Sequence, residues 1–453
     1  MESTQPVLRE TPSLQKEISQ TTHQKKRDMA VTPDSGHVLN SGQALCRQST
    51  VAMRSAFLAS MCEYGALPLE RLAYRAKKHP GRAYLRQPIA GRMRVYTWGR
   101  VYHEARRMAA YLSSLMLPLG SRIALLSKKC AHWIMADYAI WLAGYVSVPL
   151  FPSLSKDAIR RILMHAEASV LFAGKLDNWP SQREGIPQGI KIIGLPLLDD
   201  PSVDRWDAVI AEQEPIAEPV QHSADTLATI IYTSGTTGDP KGVMHSFGSL
   251  ASAVGHASDI YRVSSRDRVL SYLPLSHVAE RLVVELASLY EGFTVFFVES
   301  LETFTEDIQR AQPTLFFAVP RVWSLFRQGV LERIPENLFD AILYIPVCSS
   351  ALRRMVLKEL GLHKTRLFLS GGAPLAESVL QWYAKLGVQI LESYGLTENM
   401  GYSHCTREHD QWAGYVGLPN PGVMVALSDA GEVLVRSATT MMGYYKAPDE
   451  TAN

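Results

Sequence analysis

The chain has 453 residues, enough for about three domain-sized units of ~150 residues each, and 47% of them are apolar, which supplies large cores. Its 46 Lys and Arg stand against 44 Asp and Glu for a net charge of +2, with no long block of one sign, so the basic stripe of a nucleic-acid binder is missing and nucleic acid is not an expected partner. Five cysteines (Cys46, Cys62, Cys130, Cys348, Cys405) lack C-x-x-C spacing, which argues against a disulfide framework or zinc site and for free thiols in a reducing compartment.

In chain order, residues 1–52 come first. The first 50 contain no Phe, Trp or Tyr, lack the apolar run of a secretory signal, and carry five acids that suit a transit peptide poorly. They are expected to be a disordered tail, or sequence upstream of a start nearer Met29 or Met53.

A first α/β subdomain is predicted over 53–220. Leu69, Leu72, Ala73 and Ala76 recur at helical spacing, as do Val101, Ala105, Met108, Ala109 and Leu112 after a Thr97 cap. A strand at 123–126, a helix at 131–143, a strand at 146–150, a helix at 156–166 and a strand at 170–172 follow. This alternation implies a parallel sheet covered on both faces. The apolar stretch 130–151 is about long enough to span a bilayer. It nevertheless holds His132 and Asp137, breaks at Gly144 and turns β-branched, as a buried helix followed by a buried strand would. No transmembrane span is expected. A peripheral membrane contact stays open, although no amphipathic basic helix supports it. The expected location is cytoplasmic, or peripheral to the inner face of a membrane.

After a Pro/Glu-rich joint at 213–220, a second α/β subdomain is predicted over 221–413, with strands at 229–232, 269–272, 295–298, 314–318, 366–369 and 388–391. From 414 to 453 short strands punctuated by Gly and Pro suggest the start of a small β-barrel or meander.

Residues 228–242 read A-T-I-I-Y-T-S-G-T-T-G-D-P-K-G, an apolar strand running into glycines and hydroxyls. Glycines let successive N–H groups turn toward an anion, and Thr233, Ser234, Thr236, Thr237 and Lys241 add donors and charge. Gly235 and Gly238 do not give the Walker A spacing. A flexible linker is the bland alternative, but linkers are not normally entered from a buried strand. Loops at 233–238, 370–374 and 393–398 each follow an apolar strand, and ligands of open α/β sheets bind beyond such strand ends.

The loop T-S-G-T-T-G-D-P-K-G, L-P-L-S-H-V at 273–278, S-G-G-A-P-L at 370–375, E-S-Y-G-L-T-E at 392–398, and G-E-V-L-V-R with G-Y-Y at 431–445 resemble, in order, the adenylate-forming acyl-CoA synthetase superfamily. The resemblance covers roughly residues 67–453. L-P-L-S-H-V-A-E-R and V-P-R-V-W at 319–323 look most like long-chain fatty acid-CoA ligases.

The resemblance implies two mostly parallel, doubly wound sheets packed together, with a small β-barrel-like subdomain. It also implies a two-step reaction of a fatty acid with ATP, Mg2+ and CoA. Thr233, Ser234, Gly235, Thr236, Thr237, Gly238 and Lys241 would hold the β- and γ-phosphates. Thr397 would donate to the α-phosphate and Glu398 would be the magnesium carboxylate. Tyr394 and Gly395 would lie against adenine above a floor of Gly371, Gly372, Ala373 and Pro374, and His277 would lie near the substrate carboxylate.

Simpler readings stand beside these. The strand-end loops could be ordinary turns, His277 a structural histidine, Glu280 and Arg281 a solvated or paired helix start, Arg321 structural, and Trp323 with Phe326 core rather than pocket. Ser437 replaces a glycine usual in the family. The family continues about a hundred residues past a segment like 443–453, so the expectation is a truncated, catalytically impaired chain without the C-terminal cap domain. Alternatives are an adenylation domain serving a carrier protein or reductase, and a non-catalytic nucleotide- or acyl-binding fragment.

Overall fold

The computed structural model describes residues 66–234, 240–408 and 414–452, apart from the side chains of Ser234, His256 and Asp259. The expected tail at 1–52 lies outside the described residues, as do Gly235, Thr236, Thr237 and Gly238.

One sheet has eight strands, in spatial order β19 (Gly443–Tyr444), β9 (Pro240–Ser246), β8 (Leu227–Ser234), β4 (Val146–Leu150), β3 (Arg122–Leu126), β5 (Ala168–Ala173), β6 (Lys191–Gly194) and β7 (Asp204–Arg205). From β8 to β7 all strands are parallel, while β9 and β19 are antiparallel at one edge. The other sheet has nine: β16 (Leu418–Pro419), β15 (His404–Cys405), β14 (Ile390–Tyr394), β13 (Leu367–Gly371), β12 (Leu315–Ala318), β10 (Arg268–Ser271), β11 (Thr294–Phe297), β1 (Ala83–Ile89) and β2 (Arg92–Thr97). Its centre, β14 to β1, is parallel. Central strands such as β4 and β12 are buried along their whole length, which is why they read as unbroken apolar runs. Among the described residues after 414, β17 (Met424–Leu427) and β18 (Val433–Arg436) form a two-stranded ribbon, not a closed barrel.

Strand membership does not follow the expected boundary at 220. β1 and β2 join the second sheet, and β8 and β9 join the first. The β1–β2 hairpin turns on Ala90 and Gly91, both at positive φ (47° and 74°), the geometry of a type I′ turn. Alanine is an unusual first residue for that turn, so the hairpin lacks the Asn-Gly or Asp-Gly signal that would have announced it.

Between the sheets, all twelve residues of the helix Ala131–Leu142 are buried. The apolar stretch is therefore core, and among the described residues no helix is long and apolar enough to cross a membrane. Asp137 on this helix pairs with Arg281, which also bonds Glu285 Oε2 (3.0 Å) and Thr229 Oγ1 of β8 (2.7 Å), while Ser147 of β4 donates to Asp137. All three ionisable groups are fully buried. Burial, reinforced by Asp137, pushes the Glu285 carboxyl well above the usual range, while Arg281 draws both carboxyls together. Arg281 is thus a structural cross-tie and not a solvated helix start.

Candidate active site

The glycine loop connects β8 to β9, and Thr233 and Lys241 stand opposite one another in register at its base. Lys241 forms an ion pair with Glu450 and lies 5.4 Å from the Tyr444 ring centroid. β19 pairs with β9 and brings Tyr444 there; the Tyr444 hydroxyl donates to Glu398 Oε1 (2.8 Å). His245 on β9 is buried, which pushes its imidazole down to about 4, so it is neutral at pH 7. Its Nε2–H donates to the Thr397 carbonyl (2.7 Å), leaving Nδ1 to accept from Ser249 Oγ (3.1 Å). These bonds draw Lys241, Thr397 and Glu398 into one group, half-buried at the edge of the first sheet.

The second and third loops leave β13 and β14, which run parallel with Gly371 opposite Ser393. A Cβ on Gly371 would sit 2.7 Å from Ser393 Oγ, and one on Gly395 would lie 2.4 Å from the Gly401 carbonyl, so both loops need glycine for close packing. Gly372 sits at φ +82°. Asn399 Oδ1 accepts the Leu396 N–H (2.9 Å) and Gly401 N–H bonds Leu396 O (2.8 Å), which fixes the turn carrying Thr397 and Glu398.

A cavity of about 410 Å³ opens beside these loops. Gly371, Gly372, Ala373 and Gly395 form one wall, and apolar side chains such as Val254, Leu273, Val283, Phe317 and Leu367 form most of the rest. His277 lines it too. Its Nδ1 accepts the Ala279 N–H (3.1 Å), which caps the helix start, and its ring meets Phe151 edge-on at 6.3 Å. The ring is exposed, and the protein around it lowers its pKa; with Nδ1 accepting the Ala279 N–H, Nε2 is the nitrogen that carries the proton. Along the cavity wall, the helix widens into a π turn over Arg281–Leu286, whose Leu282 and Val283 line the cavity.

Tyr394 and Pro374 do not line the cavity. Tyr394 packs beside His404, with ring centroids 5.8 Å apart. Trp323 is fully buried and donates to Leu369 O (3.3 Å), so it is core, while Phe326 is half-buried and stacks on Phe316. Glu280 is not a solvated helix start. It is 2% exposed, accepts from Ser271 Oγ (2.7 Å), and burial pushes its carboxyl up to about 8. Lys129, a cation whose charge acts on it, is pushed down to about 8 by burial and then by Lys175 and Lys128. Sequence reasoning also missed Asn399, whose side chain ties the turn locally to Leu396, and His245, Tyr444 and Glu450, whose roles arise from long-range pairing that carries no local pattern.

A family model described as AMP-binding enzyme matches residues 72–445. The peroxisomal long chain acyl-CoA synthetase 6 of Arabidopsis thaliana is 28% identical over 416 residues, covering 80% of this chain and 59% of that protein. Long-chain-fatty-acid--CoA ligase FadD15 of Mycobacterium tuberculosis is 28% identical over 397 residues, covering 78% and 64%. The chain thus spans about six tenths of the length of these curated relatives. Among solved structures, the inhibitor-bound N-terminal domain of FACL13 from Mycobacterium tuberculosis superposes with a TM-score of 0.71 at 24% identity, over 85% of this chain and 92% of that one. The anthranilate CoA ligase AuaEII in complex with anthranoyl-AMP also gives 0.71, at 21% identity over 85% and 72%. Both share this fold.

Proposed function

We propose, for a chain that belongs to the AMP-binding enzyme family, that the crevice activates a long-chain fatty acid. A carboxylate oxygen attacks the α-phosphorus of ATP, pyrophosphate leaves, and an acyl adenylate forms. The sulfur of CoA then attacks the acyl carbon and AMP leaves. The observation that carries this reading is the apolar cavity of about 410 Å³ opening beside strand-end glycine loops: it provides room for a hydrocarbon chain beside backbone suited to a nucleotide. The names of the relatives point the same way.

In this reading Lys241, with Thr233, Ser234, Gly235, Thr236, Thr237 and Gly238, counters the charge that builds on the departing pyrophosphate. Thr397 donates to the α-phosphate, while Gly371, Gly372, Ala373, Pro374, Tyr394 and Gly395 receive the base. His277, whose Nδ1 accepts the Ala279 N–H and whose Nε2–H can donate into the cavity, orients the substrate carboxylate. Glu398 would hold magnesium, which when bound neutralises phosphate charge. Among the described residues no three His, Cys, Asp or Glu side chains converge on a metal position. A single carboxylate therefore suits an ion that keeps its waters and shares substrate phosphates.

The test is pyrophosphate release from ATP across a series of fatty acids, followed by thioester formation with CoA or with a carrier-protein thiol. Each buried methylene contributes up to about 0.8 kcal/mol, so palmitate should outcompete acetate by several kcal/mol. Equal potency of the two acids would remove the long-chain assignment, and transfer only to the carrier thiol would replace CoA as acceptor.

A further inference from the structure

A second apolar feature stands apart from the cavity. The helices Glu336–Leu343 and Pro346–Glu359 are joined through Tyr344 and Ile345, and the five consecutive residues Tyr344, Ile345, Pro346, Val347 and Cys348 are all exposed. Tyr344 is 88% and Val347 83% exposed. A surface run of five residues this apolar is a solubility liability unless it is used. It is not a frayed end. Phe339 beneath it stacks on Trp382 (5.2 Å), Lys385 bridges Asp340 (2.7 Å), and Ser349, Leu352 and Val356 are buried. The helix pair is a rigid post with a greasy tip.

The charge on the post is one-sided. Glu336, Asp340 and Glu359 are each paired with Arg327, Lys385 and Arg333. No carboxylate bonds Arg353, Arg354 or Lys358 among the described residues. Val347, Ser350, Ala351, Arg354 and Lys358 are all exposed and follow helical spacing, so one outer face runs from the apolar tip to two cations. At 1.5 Å per residue Arg354 lies about 10 Å and Lys358 about 16 Å behind Val347 along the helix. Arg354 thus lies at the limit of the 5–10 Å depth to which amphipathic segments enter the headgroup and acyl boundary, and Lys358 lies one turn further out.

We propose that this tip docks the protein onto an anionic lipid surface, with Tyr344, Ile345 and Val347 in the acyl boundary and Arg354 and Lys358 at the phosphates. A five-residue tip offers too little area for a stable protein interface, which needs about 800 Å² per partner, whereas it is the right size to enter a bilayer surface. The charge behind it is complementary to anionic headgroups, and among the described residues no carboxylate bonds it. The inference does not depend on the reaction assigned to the crevice.

The experiment is sedimentation of the full 453-residue chain with vesicles of phosphatidylcholine alone and with added phosphatidylserine, at low and physiological salt. Binding should require the anionic lipid and weaken with salt. Each basic side chain near such a surface contributes about fivefold, so Arg354→Glu with Lys358→Glu should reduce binding by about 25-fold or more. Tyr344→Ser with Val347→Ser should reduce it about tenfold or more with melting temperature unchanged, since both side chains are exposed. If the serine variant is destabilised, the charge-reversed variant decides. An environment-sensitive dye on Cys348, with Cys46 and Cys62 replaced by Ser, should shift to the blue on vesicle addition. No binding to anionic vesicles, or binding that neither variant alters, overturns the proposal. So does a change from dimer to monomer in the tip variant without vesicle binding, which would make the tip a contact between two copies of the chain.

Discussion

The two sides of the crevice are built on opposite plans. Its polar side is made of short contiguous stretches at strand ends, where backbone and glycines such as Gly371 and Gly395 do much of the work. Its apolar side is assembled from single side chains between Phe151 and Asn420, on helices and strands far apart in sequence. A loop that must bring N–H groups to a phosphate tolerates few residue types at fixed spacing, and so leaves a readable motif. A wall that must only exclude water and have the right volume tolerates many, and leaves none.

Breaking the polar side at its tightest point should have the largest effect. Gly395→Ala puts a Cβ 2.4 Å from the Gly401 carbonyl, so the turn carrying Thr397 and Glu398 must move. Misplacing several transition-state contacts at once should lower kcat by ~10²-fold or more, read as pyrophosphate release, while palmitate binding survives. Next, Lys241→Ala and Glu398→Gln should each weaken magnesium-dependent ATP binding by about 1.5 to 3 kcal/mol in calorimetry. Unchanged affinity in both would remove the phosphate role of this group.

On the apolar side, Ala257→Phe projects a ring into the cavity and should shift chain preference downward. Losing room for two or three methylenes should cost palmitate about 2 kcal/mol, roughly 30-fold, with ATP affinity unchanged. If ATP affinity fell equally, the two sides would not be separable.

Glu280 sharpens the comparison through pH. Its folded pKa is raised to about 8, so between the ordinary carboxylate range and pH 8 the native protein keeps a proton that the unfolded chain releases. The sign is therefore a stability that is fully present at low pH and declines as pH rises through 8. Lys129, pushed down to about 8, acts oppositely above that pH, because there the unfolded chain holds the extra proton. Glu280→Gln should flatten the decline between pH 5 and 8 in melting-temperature measurements; an unchanged slope would assign it to other groups. The smallest effect is expected at Glu450, the partner of Lys241. A half-exposed pair of this kind contributes about 0.2 to 1 kcal/mol, so Glu450→Gln should tighten ATP binding by no more than about fivefold.

Much of the architecture was legible in the sequence because the parallel strands are buried runs and the flanking helices carry 3.6-residue periodicity. The helix Trp98–Ser114 begins where Thr97 accepts the Arg100 N–H, as its sequence implied. Short strands at or beside the edges were lost, since β7, β15 and β19 are two residues long and have no period to detect. Asp137 argued correctly against a membrane span, yet nothing local revealed that its counter-ion is Arg281, 144 residues later. The environment of Glu280 was hidden for the same reason: its neighbours Ser271 and Lys129 come from other elements.

The exchange of strands between the sheets bears on how the molecule comes into being. Leu85 of β1 pairs with Val295 of β11, so the hairpin that closes the nine-stranded sheet is synthesised 210 residues before the strand it rests on. At 5–20 residues per second on the ribosome, that partner emerges about 10 to 40 s later. Through that interval β1 has no parallel neighbour, and its hairpin can lean only on the helices that follow it, where Tyr84 meets Trp98 and Tyr138 and Tyr96 meets His132. The eight-stranded sheet is in the same position, because β19 at its edge arrives some two hundred residues after β8 and β9. Neither sheet can be completed as the chain grows, so closure must be late, shared and dominated by distant contacts. That makes this a slow-folding chain whose nascent form depends on protection from aggregation.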